Sequence, residues 1–170
     1  MEANVILGES YVHKEAPILL DYFKRIDWAV LGVITWADKA RRADTPQGEQ
    51  GRQHNYKSLL WITLNAFRLR RPFRTYQTLE QSPSDECHYH FLIASHGIKE
   101  IKPQLLANTL RAIWRSRIAG AGNCWIEPFD QDRKLDGLSY WTKDPTNEHL
   151  SRGLLNLLRR TGAADGSAAP

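Results

Sequence analysis

The sequence predicts an α+β fold, helices packed on an antiparallel sheet, and three observations predict it. The run Trp28-Ala-Val-Leu-Gly-Val-Ile-Thr-Trp36 is rich in β-branched and aromatic residues and reads as a buried strand. Residues 73–94 alternate bulky and polar side chains on both sides of a turn at Gln81-Ser-Pro-Ser-Asp85, as an antiparallel hairpin does. Two apolar series at helical spacing lie one on each side of that hairpin.

After the first strand, Ala43 to Gly51 carries Asp44, Pro46, Gly48 and Gly51 and reads as a loop. Tyr56, Leu59, Leu60, Leu64 and Phe67 then recur at helical spacing, which predicts a helix over about 52–69, stopped by Pro72. Phe73–Glu80 and Cys87–Ala94 are the two hairpin strands. Beyond Gly97, the series Ile101, Leu105, Leu106, Thr109, Leu110, Ile113, Trp114 falls on one helix face and ends before Gly120 and Gly122. Cys124-Trp-Ile-Glu127 returns to strand character. A short helix is expected around Leu138–Lys143, ahead of Pro145, and another over Leu150–Arg160. Residues 161–170 read as a disordered tail, and residues 1–27 as an N-terminal arm or short helix. The order β-α-β-β-α-β is the split βαβ arrangement shared by ferredoxin-like and RRM-like folds.

The 170 residues are 42% hydrophobic and 25% charged, which fits a single core and leaves no room for a second large domain. Cys87 and Cys124 form no disulfide framework and no zinc-finger spacing, so a reduced, cytoplasmic setting is expected. The charged residues within 1–26 exclude a signal-peptide core, and no run is long and apolar enough to span a membrane. A net charge of +4 is compatible with a polyanionic partner. Arg68, Arg70, Arg71 and Arg74 form one basic cluster and Arg111, Arg115 and Arg117 another, near Trp61, Phe73 and Trp114. That mixture suits phosphate contacts with base stacking, but the clusters taken alone favour a solvated helix face with its aromatics turned inward.

The chemistry-bearing segment is Glu80-Gln-Ser-Pro-Ser-Asp-Glu-Cys-His88-Tyr-His90. Residues i and i+2 of a strand share a face, so His88 and His90 present two imidazoles side by side. With the turn centred on Pro83 and Ser84, Glu80 lies beside His88 on the adjacent strand and can add a carboxylate oxygen. Glu86, two residues before His88 on the same face, is the rival ligand. A carboxylate from the neighbouring strand approaches an ion from a different direction, which favours Glu80. Such an N/N/O set leaves coordination positions open for a phosphate oxygen, as phosphoryl transfer requires. His54, His96 and His149 have no supporting spacing for the third nitrogen that a zinc hydrolase would want. A second element is Tyr140-Trp-Thr-Lys143: at i, i+3 on a helix a lysine sits on the face of a tyrosine, which suits a tyrosine nucleophile. The same spacing also fits an aromatic in the core with a solvated lysine.

Taken in order, these features resemble the HUH endonucleases, in particular the single-tyrosine rolling-circle replication initiators. The resemblance spans residues 28–144: a first strand with the opening motif at Leu31-Gly-Val-Ile-Thr35, a helix, a strand ending in Glu80, the strand Glu86-Cys-His-Tyr-His-Phe-Leu-Ile, a helix, and Tyr140-x-x-Lys143. It implies a nuclease domain over 28–160 in which Glu80, His88 and His90 hold Mg²⁺ or Mn²⁺. It further implies that Tyr140 attacks the scissile phosphate with help from Lys143. The implied substrate is single-stranded DNA at a replication origin, with strand separation supplied by supercoiling or a host helicase. A single-strand transposase or a relaxase would use the same atoms. Among the tyrosines, Tyr89 points away from the histidines, Tyr56 belongs to a helix stripe, and Tyr11 and Tyr22 lie outside the matched span. Tyr76 shares a strand face with Glu80 and competes with Tyr140. A rival of another class is a non-catalytic, RRM-like module that stacks bases on Tyr76, Tyr89 and Phe91.

Overall fold

The structure, a computed structural model, describes residues 10–12, 23–81, 87–132 and 148–151. In chain order its elements are β1 (Ser10–Val12), β2 (Trp28–Trp36), α1 (Lys39–Arg42), α2 (Pro46–Ala66), β3 (Thr75–Gln81), β4 (Cys87–Ala94), α3 (Pro103–Arg117), β5 (Ala121–Pro128) and β6 (Glu148–Ser151). Among the described residues the strands form one six-stranded sheet in the order β1-β6-β3-β4-β2-β5, with every recorded pairing antiparallel. Strand β4 lies between β2 and β3, and β2 lies between β4 and β5. The β2-α2-β3 and β4-α3-β5 connections therefore each step over a strand, which is the split βαβ arrangement expected from the sequence.

Strand β2 is buried along its length because it is flanked on both sides and packed by helices on one face. On β4 the pleat sends Tyr89, Phe91 and Ile93 towards the helices, where Tyr56 of α2 meets the Tyr89 and Phe91 rings at 6.0 and 5.6 Å. From α3, Leu106, Leu110, Ile113 and Trp114 complete that core. Gly32 is where the sheet needs a hydrogen for a side chain: a Cβ there would lie 2.4 Å from Phe91 Cζ and 3.1 Å from Ile126 Cγ1. On the opposite face, Phe23, Trp28 and Tyr76 form a smaller aromatic cluster, with Phe23 4.8 Å from Tyr76 and 5.3 Å from Trp28, edge to face.

Three expectations are corrected. Residues 46–51 are not loop but the first turns of α2, which starts at Pro46 rather than near 52. Thr45 caps it by accepting from the Gly48 amide at 3.1 Å, and Pro46 stands at N1, where its missing N–H costs nothing. Gly48, read as a loop residue, is instead a close-approach residue: a Cβ would sit 2.4 Å from the Ala43 carbonyl oxygen. At the other end of the chain, Leu150 and Ser151 belong to the strand β6, paired with β1 and β3, and not to the start of a helix. Part of the expected N-terminal arm is likewise the edge strand β1. The helix expected at 138–143 and the tail at 161–170 lie outside the described residues. Among the described residues, no helix is long and apolar enough to cross a membrane.

Candidate metal centre on the open sheet face

The pleat that turns Tyr89 and Phe91 into the core turns His88 and His90 to the other face. Glu80 is directly opposite His88 in the β3–β4 register, and Thr78 is opposite His90. The hairpin thus brings together the three residues expected from the sequence. Glu80 Oε2 lies 2.7 Å from His90 Nε2 and 3.4 Å from His88 Nε2. The two imidazole centroids are 5.0 Å apart, and one ligand atom from each residue falls within 4.8 Å of the others. Donors around an ion bound at about 2.1 Å are about 3–4 Å apart, so small side-chain rotations suffice to close this N/N/O set on a cation. The group could therefore hold a metal ion. Its side chains run from 7% exposed at His90 through 19% at His88 to 27% at Glu80, so the set is seated in the sheet and open on one side.

Beneath the histidines, on the helix face, a polar network anchors the same end of β4. The Tyr89 hydroxyl donates to Glu49 Oε1 at 3.0 Å, and Gln53 donates to the same oxygen at 3.0 Å. Arg52, fully buried, donates to Glu49 Oε2 at 2.9 Å and to the carbonyls of Arg41 and Ala43 at 2.9 and 2.7 Å. Burial alone would raise the Glu49 carboxyl, but the hydrogen bonds from Gln53, Arg52 and Tyr89 outweigh it and hold the group below its ordinary value. Burial, reinforced by the Glu49 charge, pushes the Tyr89 hydroxyl far up, so it stays a neutral donor. The network ties the histidine-bearing strand to α2 and to the α1 segment.

The remaining expected residues distribute as follows. Glu86, Tyr140 and Lys143 lie outside the described residues. Tyr56, Tyr76 and Tyr89 are 3%, 0% and 0% exposed, and Phe91 is 0% exposed. Tyr76 is therefore not an accessible competitor for the nucleophile's role, and Tyr76, Tyr89 and Phe91 offer no ring to a stacking base. Arg68, Arg70 and Arg71 are exposed in the segment leading into β3, at the end of that strand opposite Glu80. Arg111, Arg115 and Arg117 lie on α3, on the helical side of the sheet. Neither cluster gathers at the Glu80/His88/His90 group. The basic segment that does reach this end is Lys39–Arg42, which follows β2 just beyond Thr35, the register partner of His88.

Sequence reading passed over Trp125 on β5. It is 48% exposed. The available signal was the alternation Asn123-x-Trp125-x-Glu127, which places the tryptophan on the polar face of an edge strand. Searches against protein-family models, curated proteins and solved structures gave no significant match.

Proposed function

We propose that the chain is a metal-dependent endonuclease that nicks and rejoins single-stranded DNA through Tyr140, as an initiator of rolling-circle replication. The observation that carries this reading is the Glu80/His88/His90 set, whose donor atoms lie within 4.8 Å of one another on the open face of a split βαβ sheet. Bound there, Mg²⁺ or Mn²⁺ would polarise a phosphate oxygen and neutralise charge as phosphorus becomes five-coordinate. The chain's own residues would do the rest. The Tyr140 oxygen forms a bond to phosphorus and gives up its phenolic proton. The bond from phosphorus to the 3′-oxygen breaks, and the released 3′-hydroxyl takes a proton. The resulting 5′-phosphotyrosyl ester conserves the bond for rejoining. Lys143, three residues on, would supply the positive charge that favours the phenolate. Burial of Tyr56, Tyr76 and Tyr89 supports Tyr140, since none of those three hydroxyls can meet a phosphate at the surface. A host helicase would supply unpaired DNA at the origin.

The test is an SDS-stable adduct between the protein and labelled single-stranded DNA in Mn²⁺. Tyr140→Phe, which removes one oxygen and little volume, is expected to abolish the adduct while leaving Mn²⁺ binding intact. His90→Ala is expected to abolish both, because one imidazole and one carboxylate hold a divalent ion weakly. An adduct that persists in Tyr140→Phe would move the nucleophile elsewhere. Near-normal Mn²⁺-dependent cleavage by His90→Ala would remove the metal argument.

A further inference from the structure

Trp125 is one of three large hydrophobic side chains more than a third exposed among the described residues, and the one that lies on the sheet. Its place relative to the candidate metal centre is fixed by register. Val33 of β2 pairs with His90 on one side and with Trp125 on the other. His90, Val33 and Trp125 thus form one row across the sheet and share the face turned away from the helices. Two strand spacings separate the outer residues, so their Cα atoms are about 10 Å apart. Val33, half-buried, is a low floor between them. On β5 the residues that share the tryptophan's face, Asn123 and Glu127, are exposed and polar.

We propose that Trp125 is a stacking platform for one nucleobase of the DNA strand whose phosphate the Glu80/His88/His90 group engages, which makes it a substrate-positioning residue. The inference rests on the function proposed above. Its chemistry follows from what surrounds the ring. A single-stranded polynucleotide presents an anion and a flat aromatic group within the distance that separates the two positions. The metal-ligand set suits the anion and the indole suits the base. Glu127, two residues along the same strand, repels a phosphate from this end, so the strand lies with its backbone towards the histidines and a base over the indole. The Glu127 carboxylate and the Asn123 amide can in turn accept hydrogen bonds from an exocyclic amine of that base. A second copy of the chain is the weaker occupant: a tryptophan offers at most about 250 Å² and this one is half covered, whereas a stable dimer buries about 800 Å² per partner.

The experiment measures binding, separately from cleavage, of the full chain to single-stranded oligonucleotides in Mn²⁺, on a Tyr140→Phe background so that no adduct forms, using anisotropy of a labelled strand. Trp125→Ala is expected to weaken binding roughly tenfold or more, and Trp125→Phe to retain most of the affinity. Abasic substitutions scanned along the strand should find one position whose loss weakens binding when Trp125 is present and has no further effect in Trp125→Ala. Unchanged affinity in Trp125→Ala, with the wild type binding DNA and forming the tyrosine adduct, overturns this inference and leaves the nicking function standing. Trp125-dependent, base-specific binding without an adduct has the opposite meaning: the platform stands and the nicking reading fails. A wild type that binds no single-stranded DNA, or a dimer that Trp125→Ala converts to monomer in sedimentation, also overturns the proposal.

Discussion

Glu49 contributes to the pH dependence of the fold. Its carboxylate accepts from Gln53, Arg52 and Tyr89, and these bonds hold it below its ordinary value of 4.5 against the opposing effect of burial. A carboxyl depressed in the folded state adds stability that is complete above its unfolded value and disappears as pH falls through the lower folded value. Glu49→Gln keeps the shape but removes the charge beside the fully buried Arg52. Because the Glu49 side chain is 36% exposed, solvent screens the interaction, and the expected loss at pH 7 is about 1 kcal/mol. Denaturation melts from pH 7 to pH 3 check it: the gap between wild type and variant should narrow below about pH 4.5, the ordinary value of that carboxyl. A gap that stays constant would assign the loss to packing alone.

Strand β4 divides its labour by the pleat, with alternate residues serving the core and the candidate metal centre. Slipping its register by one residue would exchange the two sets, so the packing of Tyr89, Phe91 and Ile93 is what aims His88 and His90. Gly32 on β2 guards that packing from the neighbouring strand, because Phe91 lies over it. Gly32→Ala forces the Phe91 ring aside and is expected to destabilise by about 1–3 kcal/mol, the usual cost of overpacking a filled core. Since Phe91 follows His90 directly, Mn²⁺ affinity measured by calorimetry should fall in the same variant. A variant as stable as the wild type would show that the ring has room to move.

At the scale of the molecule, the two faces of the sheet differ: one carries the helices and the main core, and the other carries the candidate metal centre and Trp125. The basic residues follow neither face closely. Lys39–Arg42 reaches the end of the sheet that carries the candidate metal centre, while Arg70 and Arg71 precede β3, whose first residue, Thr75, is about 17 Å along the strand from Glu80. A single strand laid along the open face to both ends would release counterions from each. Its affinity should fall steeply with salt, with a log–log slope of about −0.7 for each phosphate contacted. Arg70→Ala and Arg71→Ala should each flatten that slope by about 0.7, measured by anisotropy across a salt series. Affinity indifferent to salt would leave these arginines as a solvated surface.

The sequence by itself determined the split βαβ order and the meeting of the three candidate metal ligands, because both rest on short-range regularities. The bounds of β2 at Trp28 and Trp36 follow from a run rich in β-branched and aromatic residues. The meeting of Glu80 with His88 and His90 follows from two strands joined by one turn, where register is local. Tertiary structure alone decided which residues face solvent. Tyr76 looked available beside Glu80 but is covered by Phe23, which arrives from a distant part of the chain. Trp125, which the sequence reading passed over, lies on an edge strand with its ring on the face turned away from the described helices. The early start of α2 depended on Gly48 fitting against carbonyls of the α1 segment, and the strands β1 and β6 exist through pairing across the whole chain. Periodicity fixes which side chains share a face, but what covers that face is set by packing between segments far apart in sequence.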